Sequence, residues 1–147
     1  MPHYIELVND SRGNAYPAIK IDAVEIEPYL DVLKTALGDD YDRFTGNQQY
    51  RDRGAYHLTF APVFEFQQLH PTEQDMLVGQ KVSLEFLGVG AVSECPNQAF
   101  FVVVESAELL SLRHVCGLPP KDFHMTLGFS ERDVHSKRKN AETLLNL

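Results

Sequence analysis

The chain has 147 residues, of which 44% are hydrophobic and 23% are charged. This length suits the core of one compact domain, so we expect a single domain over residues 1–147. Thirteen Lys and Arg against 21 Asp and Glu give a formal net charge of -8, which argues against a protein that clamps long duplex nucleic acid. The longest apolar runs are far shorter than the roughly 20 residues of a membrane-spanning helix, so no membrane contact is expected.

The start of the sequence and its two cysteines bear on the compartment. No basic segment followed by a long apolar stretch is found there, so we expect no secretory or transit signal and a cytoplasmic protein. Cys95 and Cys116 are expected to be free thiols, because a core of this size folds without a bridge. Their spacing does not match a zinc site, and we expect neither a metal nor a cofactor. Oligomeric state is left open by these patterns.

The first half of the chain predicts a β-hairpin, a helix, a loop and a third strand. Ile, Val and Tyr flank a turn-prone run of Asn, Asp and Gly, which is typical of two paired strands. Apolar residues then recur at helical spacing from Pro28, which suits a first helical turn, to the stop signal Gly38. The predicted elements are strands at residues 4–8 and 18–26, a turn at 9–14, a helix at 28–37, a long polar loop at 39–54 and a strand at 55–60.

The second half predicts a similar series, so that it loosely repeats the first. Its hairpin contains a Pro in the turn, and its last helix is stopped by Gly and two Pro residues. The predicted elements are a capped helix from residue 71 to about Gly79, strands at 82–92 and 98–105 around a turn at 93–97, a helix over 109–118, a strand at 123–129 and a short helix in the polar tail from Ser130. This order indicates a mixed α+β fold.

Two tetrapeptides of the same form, HLTF at residues 57–60 and HMTL at residues 124–127, each lie in a predicted strand. Side chains two apart on a strand point to the same face, so His57 should share a face with Thr59, and His124 with Thr126. Chance gives roughly a quarter of one His-x-Thr match in this composition. A lone half-buried His on a sheet is more often structural, but the pair favours a functional site.

Two imidazoles with an ordinary pKa of about 6.5 can act near neutral pH as one base and one acid. That pairing suits displacement at phosphorus, in which one His takes a proton from the nucleophile and the other protonates the leaving oxygen. The two Thr hydroxyls can hold the non-bridging phosphate oxygens. Neither motif brings the third ligand that a catalytic metal would need, so metal-free chemistry is favoured.

The paired motifs resemble those of the two-histidine (2H) phosphoesterase superfamily, and residues 118–129 are similar to its Swiss-army-knife RNA-repair-like branch. The resemblance implies two pseudo-symmetric lobes of mainly antiparallel sheet, flanked by helices, with the motif strands lining a central cleft. It implies a metal-independent hydrolase that acts on 2',3'-cyclic phosphates or on 2'-5' and related linkages of nucleotides and RNA ends. It makes His57 and His124 the acid/base pair, and Thr59 and Thr126 the phosphate holders.

Residues near the motifs are candidates for substrate binding. Arg51 and Arg53 can reach a phosphate from the cleft rim, against the ordinary interpretation of solvated arginines. Tyr50 and Phe129 can stack on a base, although aromatics in such places are more often core. The basic run at 137–139 is typical of a solvated face, with a local positive patch as the alternative.

The sequence therefore favours a metal-independent phosphodiesterase that opens a 2',3'-cyclic phosphate of a nucleotide or RNA terminus. A first alternative keeps the site but cleaves 2'-5' or 3'-5' linkages in cyclic or linear oligonucleotides, including signalling nucleotides. A second alternative is a non-catalytic nucleotide-binding module, which would not require two groups suited to proton transfer. Which histidine is the acid and which the base is left open.

Overall fold

The computed structural model describes residues 2–145. Strands and helices alternate irregularly along this part of the chain, as expected for an α+β fold. The elements are β1 (His3–Asn9), β2 (Ala15–Ile21), α1 (Ala23–Leu37), α2 (Tyr41–Asp52), β3 (Tyr56–Thr59), α3 (Val63–Gln68), α4 (Pro71–Leu77), β4 (Lys81–Val82), β5 (Glu85–Glu94), β6 (Asn97–Glu105), α5 (Ala107–Val115) and β7 (Phe123–Phe129), with 3-10 turns at Gly38–Asp40 and Ala141–Thr143.

The strands form two antiparallel sheets that repeat one topology. The first sheet has the order β3-β2-β1-β4, and the second has the order β5-β6-β7. In each, a hairpin is followed by helical structure, and the next long strand returns to pair antiparallel with the second strand of that hairpin. We call these units lobe 1 and lobe 2. They confirm the mixed α+β class, the two antiparallel lobes and the loose repeat.

The main core lies on the face of each sheet opposite the His-x-Thr residues, and a smaller buried cluster covers the motif face of lobe 2. Four apolar residues of the motifs, Leu58, Phe60, Met125 and Leu127, are fully buried with 0% exposure. This confirms the strand alternation expected from the sequence, because His57 and Thr59 remain partly exposed on the other face. Helices α1, α2, α3 and α5 each add buried apolar residues to the same core.

The expected loop over residues 39–54 is wrong, because this segment forms a 3-10 turn and then α2. The helix buries only Phe44 and Gln48, and it has Gly46 in its interior, so its local signals are weak. Contacts that are distant in sequence compensate. The Asn47 amide donates to the carbonyl oxygen of Phe129 at 3.0 Å, which attaches α2 to the end of β7.

Other boundaries also differ from the expectation. The second strand stops at Ile21, and Ile26 turns its buried side chain to the core from α1, so Pro28 lies inside the helix instead of in its first turn. The expected strand over residues 82–92 is divided into β4 and β5, which belong to different sheets. Helix α3 was not expected, since its six residues are too few for a periodic signal.

Two further expectations concern the cysteines and the bilayer. Cys95 is exposed and Cys116 is buried, and both are free thiols as expected. Within residues 2–145, no helix combines the length and the apolar character that crossing a bilayer requires.

Candidate active site

The two motif strands lie side by side where the lobes meet, with Cα atoms of β3 within 8 Å of those of β7. A buried arginine fixes both of them. Arg113, 2% exposed, donates to the carbonyl oxygen of Phe60 just after β3 at 2.9 Å, and to that of Pro119 before β7 at 2.8 Å. Its charge is balanced by Glu65 at 2.9 Å. Because one side chain bridges the two strand ends, the spacing between the motifs is tightly set.

His57 lies on a polar part of lobe 1. Its cross-strand neighbour on β2 is Lys20, which is exposed, and Thr59 lies opposite Ala18. The Tyr16 hydroxyl, also from β2, is 3.1 Å from His57 Nε2. Burial lowers the pKa of His57, the Asp52 carboxylate opposes that effect, and Arg51 adds to it. The imidazole is therefore neutral at pH 7, with one carboxylate near enough to favour its protonated form.

His124 lies in apolar surroundings on lobe 2. Its cross-strand neighbour is Val103, that of Thr126 is Phe101, and the Phe101 ring meets the imidazole edge-on at 5.8 Å between centroids. Burial and then the Lys139 ammonium lower the pKa of His124 to about 4. His124 Nδ1 is 3.2 Å from the carbonyl oxygen of Asp122. Since a carbonyl can only accept, Nδ1 carries the proton, and the neutral ring keeps a lone pair on Nε2.

A group of charged and polar side chains lies at the second motif and includes its threonine. We call it the Asp133 cluster: Asp133, Arg51, Lys139 and Thr126. One carboxylate oxygen of Asp133 accepts from Arg51 Nη1 at 2.7 Å and from the Thr126 hydroxyl at 3.5 Å, and the other accepts from Lys139 Nζ at 2.9 Å. Burial would raise the pKa of Asp133, but Lys139 and Arg51 outweigh it and hold that pKa far below its usual range. The carboxylate is therefore ionised.

Arg51 reaches this cluster because α2 packs closely on β7. A Cβ at Gly128 would lie 3.0 Å from the backbone carbonyl of Phe44, so only glycine lets the helix backbone approach the strand this closely. The Asn47 amide also donates to the carbonyl oxygen of Ser130. The last turn of α2 is thereby held over the motif residues of β7, although α2 precedes β3 in the chain.

A groove of about 480 Å³ opens beside the cluster and shares Arg51 and Asp133 with it. Two of the expected stacking residues, Tyr50 and Phe129, line this groove. Tyr50 is 91% exposed, whereas Phe129 is 5% exposed and has the Arg51 guanidinium over its ring at 4.9 Å. A planar ligand therefore finds a free aromatic surface at Tyr50, while one face of Phe129 is already covered.

The two candidate arginines have different surroundings. Arg51 binds Asp52 and Asp133, both at hydrogen-bonding distance. Arg53 is the C-cap of α2 in the left-handed region, with φ 55°, and it is exposed. Within residues 2–145 no hydrogen bond or ion pair joins Arg53 to either motif. The structure thus brings Arg51, but not Arg53, into the contacts of the site.

Sequence reasoning missed three polar residues that complete these surroundings: Tyr16, Asp133 and Lys139. Tyr16 lies between the expected turn at 9–14 and the expected strand at 18–26, and its position beside His57 depends on the register between β2 and β3. Lys139 belongs to the basic run at 137–139, for which a local positive patch was the alternative to a solvated face. That run was the sequence signal that pointed to Lys139. Asp133 had no signal, since its partner Arg51 is 82 residues away.

Within residues 2–145, no group of three or more His, Cys, Asp or Glu side chains is placed to bind a metal ion.

The 2H phosphoesterase domain family described as Swiss Army Knife matches residues 26–135 of the chain. The match includes both His-x-Thr motifs, the strand β3 and nearly all of lobe 2. No curated protein and no solved structure was found to match. Since the family match covers most of the chain and the fold has the two antiparallel lobes, the chain belongs to the 2H phosphoesterase superfamily, in its Swiss Army Knife branch.

Proposed function

We propose that the protein is a metal-independent phosphodiesterase that hydrolyses a 2',3'-cyclic phosphate of a nucleotide or RNA terminus. The observation that carries this proposal is the placement of two strands, each with a His beside a Thr, next to each other in a 2H phosphoesterase domain. Membership of this family implies phosphodiesterase chemistry in general. The substrate, the bond and the residue roles are the proposed part.

The reaction adds water to phosphorus and breaks one P–O bond to the ribose. His124 is the general base, because its Nδ1 proton is held by the Asp122 carbonyl and Nε2 is free to accept a proton from water. His57 is the general acid that protonates the departing ribose oxygen, and the product is a 2'- or 3'-phosphomonoester. Thr59 and Thr126 hold the non-bridging oxygens, and Arg51 adds positive charge at the rim.

The charges around the two rings support this division of roles. Asp52 acts on His57 in the direction that favours the imidazolium, whereas Lys139 and Lys121 act on His124 in the direction that opposes it. The anionic phosphate adds to the effect of Asp52 when the substrate binds, so His57 is the ring that gains a proton more readily. In the resting site, the Tyr16 hydroxyl holds the position at Nε2 that a substrate oxygen would take.

The groove beside Arg51 favours a nucleotide as the substrate. A phosphate at Thr126 and Arg51 would place the attached nucleoside near Tyr50, whose ring is almost fully exposed and can stack on any base. The exposed Tyr50 ring can equally stack on a base of an oligonucleotide, which supports cleavage of 2'-5' or 3'-5' linkages as the second candidate. Products separate the two, because ring opening keeps the length of the substrate and linkage cleavage shortens it.

The test is turnover of 2',3'-cyclic nucleotides and of 2'-5' and 3'-5' oligonucleotides by the purified chain in EDTA. We expect ring opening by the wild type, loss of turnover in His57→Ala and His124→Ala, and no change in His114→Ala, which replaces an exposed histidine of α5. Activity that requires an added divalent cation, or that survives in both motif variants, would contradict the proposal.

A further inference from the structure

The C-terminal segment, residues 130–145, folds back over the face of lobe 2 that carries the second motif, and we call it the strap. The Leu145 amide donates to the carbonyl oxygen of Val89 at 2.9 Å, and Leu144 bridges to Gly90 on β5. Val134 of the strap is 2% exposed and packs in a cluster with Phe101, the cross-strand neighbour of Thr126. The strap therefore forms one wall of the site at His124.

The sheet surface beneath the strap is shaped to receive it. A Cβ at Gly90 would lie 2.5 Å from the Thr143 hydroxyl oxygen and 2.7 Å from the Phe101 ring, so a side chain at this position would displace the strap or the ring. Earlier in the strap, the Arg138 guanidinium binds the Asp122 carboxylate at 2.9 Å, and Asp122 is two residues before His124. The contacts at Gly90 and at Asp122 together hold residues 138–144 against lobe 2.

Lys139 is the strap residue that this arrangement directs into the site. It is 5% exposed, and its ammonium lies 5.5 Å from the centre of the Phe101 ring, whose edge faces His124. Among the charges that act on His124 it also has the largest effect, since only burial contributes more to the lowered pKa of that ring. An ammonium so placed lies beside the base and the phosphate holder of the second motif.

Asp133 accepts from three side-chain donors, besides the Val134 backbone amide, and a phosphate could accept from the same three. Arg51, Lys139 and the Thr126 hydroxyl all converge on its two carboxylate oxygens. A buried ion pair such as Lys139 with Asp133, each 5% exposed, adds little to stability compared with apolar residues of similar size. Stability is therefore a weak reason for burying this pair, and binding of an anion is a stronger one.

We propose that Lys139 is a phosphate-binding residue, delivered by the strap, and that the Asp133 carboxylate occupies the phosphate position until the substrate anion displaces it. This inference rests on the proposed function, since it assigns a further contact to the same site. The family match ends at residue 135, so Lys139 lies outside the matched part. The exchange breaks and forms hydrogen bonds and ion pairs only, with no covalent step.

Binding of inorganic phosphate to the full-length chain, followed by calorimetry, tests the inference without any turnover. Lys139→Met should weaken binding about 10- to 100-fold, the loss typical of one charge-assisted hydrogen bond. Asp133→Asn, which removes the competing charge but keeps the size of the side chain, should tighten binding several-fold. Lys139→Arg should stay within a few-fold of the wild type, and Lys137→Met, an exposed neighbour in the same basic run, should match the wild type.

Three results would overturn the inference: no phosphate binding by the wild type, equal binding by Lys139→Met, or weaker binding by Asp133→Asn. Urea unfolding of each variant shows whether it is folded. If Lys139→Met does not fold, Asp133→Asn keeps the test decisive, because the inference requires it to bind phosphate more tightly than the wild type. Failure of the proposed function looks different. The protein would then bind phosphate with this order of affinities and turn over no member of the nucleotide panel.

Discussion

The two motif strands carry the same His-x-Thr pattern in different surroundings. On lobe 1, β3 pairs with a strand that presents Lys20 and Tyr16 on the motif face, so His57 lies among polar groups. On lobe 2, β7 pairs with Phe101 and Val103, and the strap covers the same face. The two motifs therefore share sequence and topology but not surroundings, and the proposed difference in their proton-transfer roles rests on the surroundings.

The largest expected effect comes from removing either imidazole. His57→Ala and His124→Ala should each lower kcat about 100- to 10,000-fold, the usual contribution of a general acid or base. The two variants should differ in the pH dependence of the residual kcat/KM. His124→Ala should lose the acid limb, which the wild type shows near pH 4, and His57→Ala should lose the alkaline limb, which lies below pH 6.5.

A stopped assay of kcat/KM from pH 3.5 to 8 measures both limbs. The wild type should have its maximum on the acid side of pH 6.5, because His124 must be neutral and His57 protonated in the free enzyme. If His57→Ala lost the acid limb and His124→Ala kept it, the proposed roles of the two histidines would have to be exchanged. A flat wild-type profile would contradict the acid–base pairing itself.

The second effect is on stability, and it should be larger for His124 than for His57. Folding lowers the pKa of His124 from 6.5 to about 4, so between these values the unfolded chain binds a proton that the folded chain does not. Stability therefore falls as the pH falls from about 6.5 to 4, by roughly 3 kcal/mol for this group. The charges that act on the ring are those of Lys139, Lys121 and Asp133, and the backbone carbonyl of Asp122 accepts a hydrogen bond from its Nδ1.

Urea unfolding at pH 7 and pH 4 measures this loss. The wild type should lose roughly 3 kcal/mol more across that range than His124→Gln, in which the titrating group is gone. The same comparison with His57→Gln should show a smaller difference, because Asp52 partly offsets the burial of His57. An equal pH dependence in wild type and His124→Gln would show that the ring is not held neutral.

The third effect is that of the close packing of α2 on β7 of lobe 2. Gly128→Ala should destabilise the fold by about 1 to 3 kcal/mol, because the added methyl would press on the Phe44 backbone at 3.0 Å. Gly46→Ala is the matched control within α2 itself, since a Cβ there meets no atom within 4 Å. It should stabilise the helix by about 0.5 to 1 kcal/mol. Thermal unfolding followed by circular dichroism measures both, and similar changes in the two variants would contradict the close contact of α2 with β7.

The smallest expected effect is that of Tyr16→Phe. Loss of one neutral hydrogen bond at His57 Nε2 is expected to change kcat/KM by no more than about tenfold and to move only the alkaline limb of the pH profile. Tyr4→Phe, which removes the hydroxyl of an exposed tyrosine on β1 that lies in neither motif nor the groove, is the control. A shift of the acid limb in Tyr16→Phe would contradict this expectation, because it would show that Tyr16 acts on His124 instead of His57.

Local pattern was sufficient for most strands, the hairpins, the α+β class and the faces of both motifs, but not for the division between β4 and β5. The alternation of His57 with Leu58 and of His124 with Met125 depends only on the strand repeat of two residues, so it is readable without any partner. Hairpins need only a turn between two apolar segments. The general function class, a phosphodiesterase, was also predicted from the sequence. The paired His-x-Thr motifs suit acid–base chemistry at phosphorus, and they resemble those of the 2H superfamily.

Long-range contacts decided everything else about the site. Helix α2 exists because Asn47 and Phe44 meet β7, and the Asp133 cluster exists because Arg51 reaches a carboxylate 82 residues along the chain. The strap depends on the missing side chain at Gly90. Such contacts follow from packing and register between remote segments, and a pattern within one segment carries no information about its partner. The sequence therefore determined which histidines to consider, and tertiary packing determined how they differ.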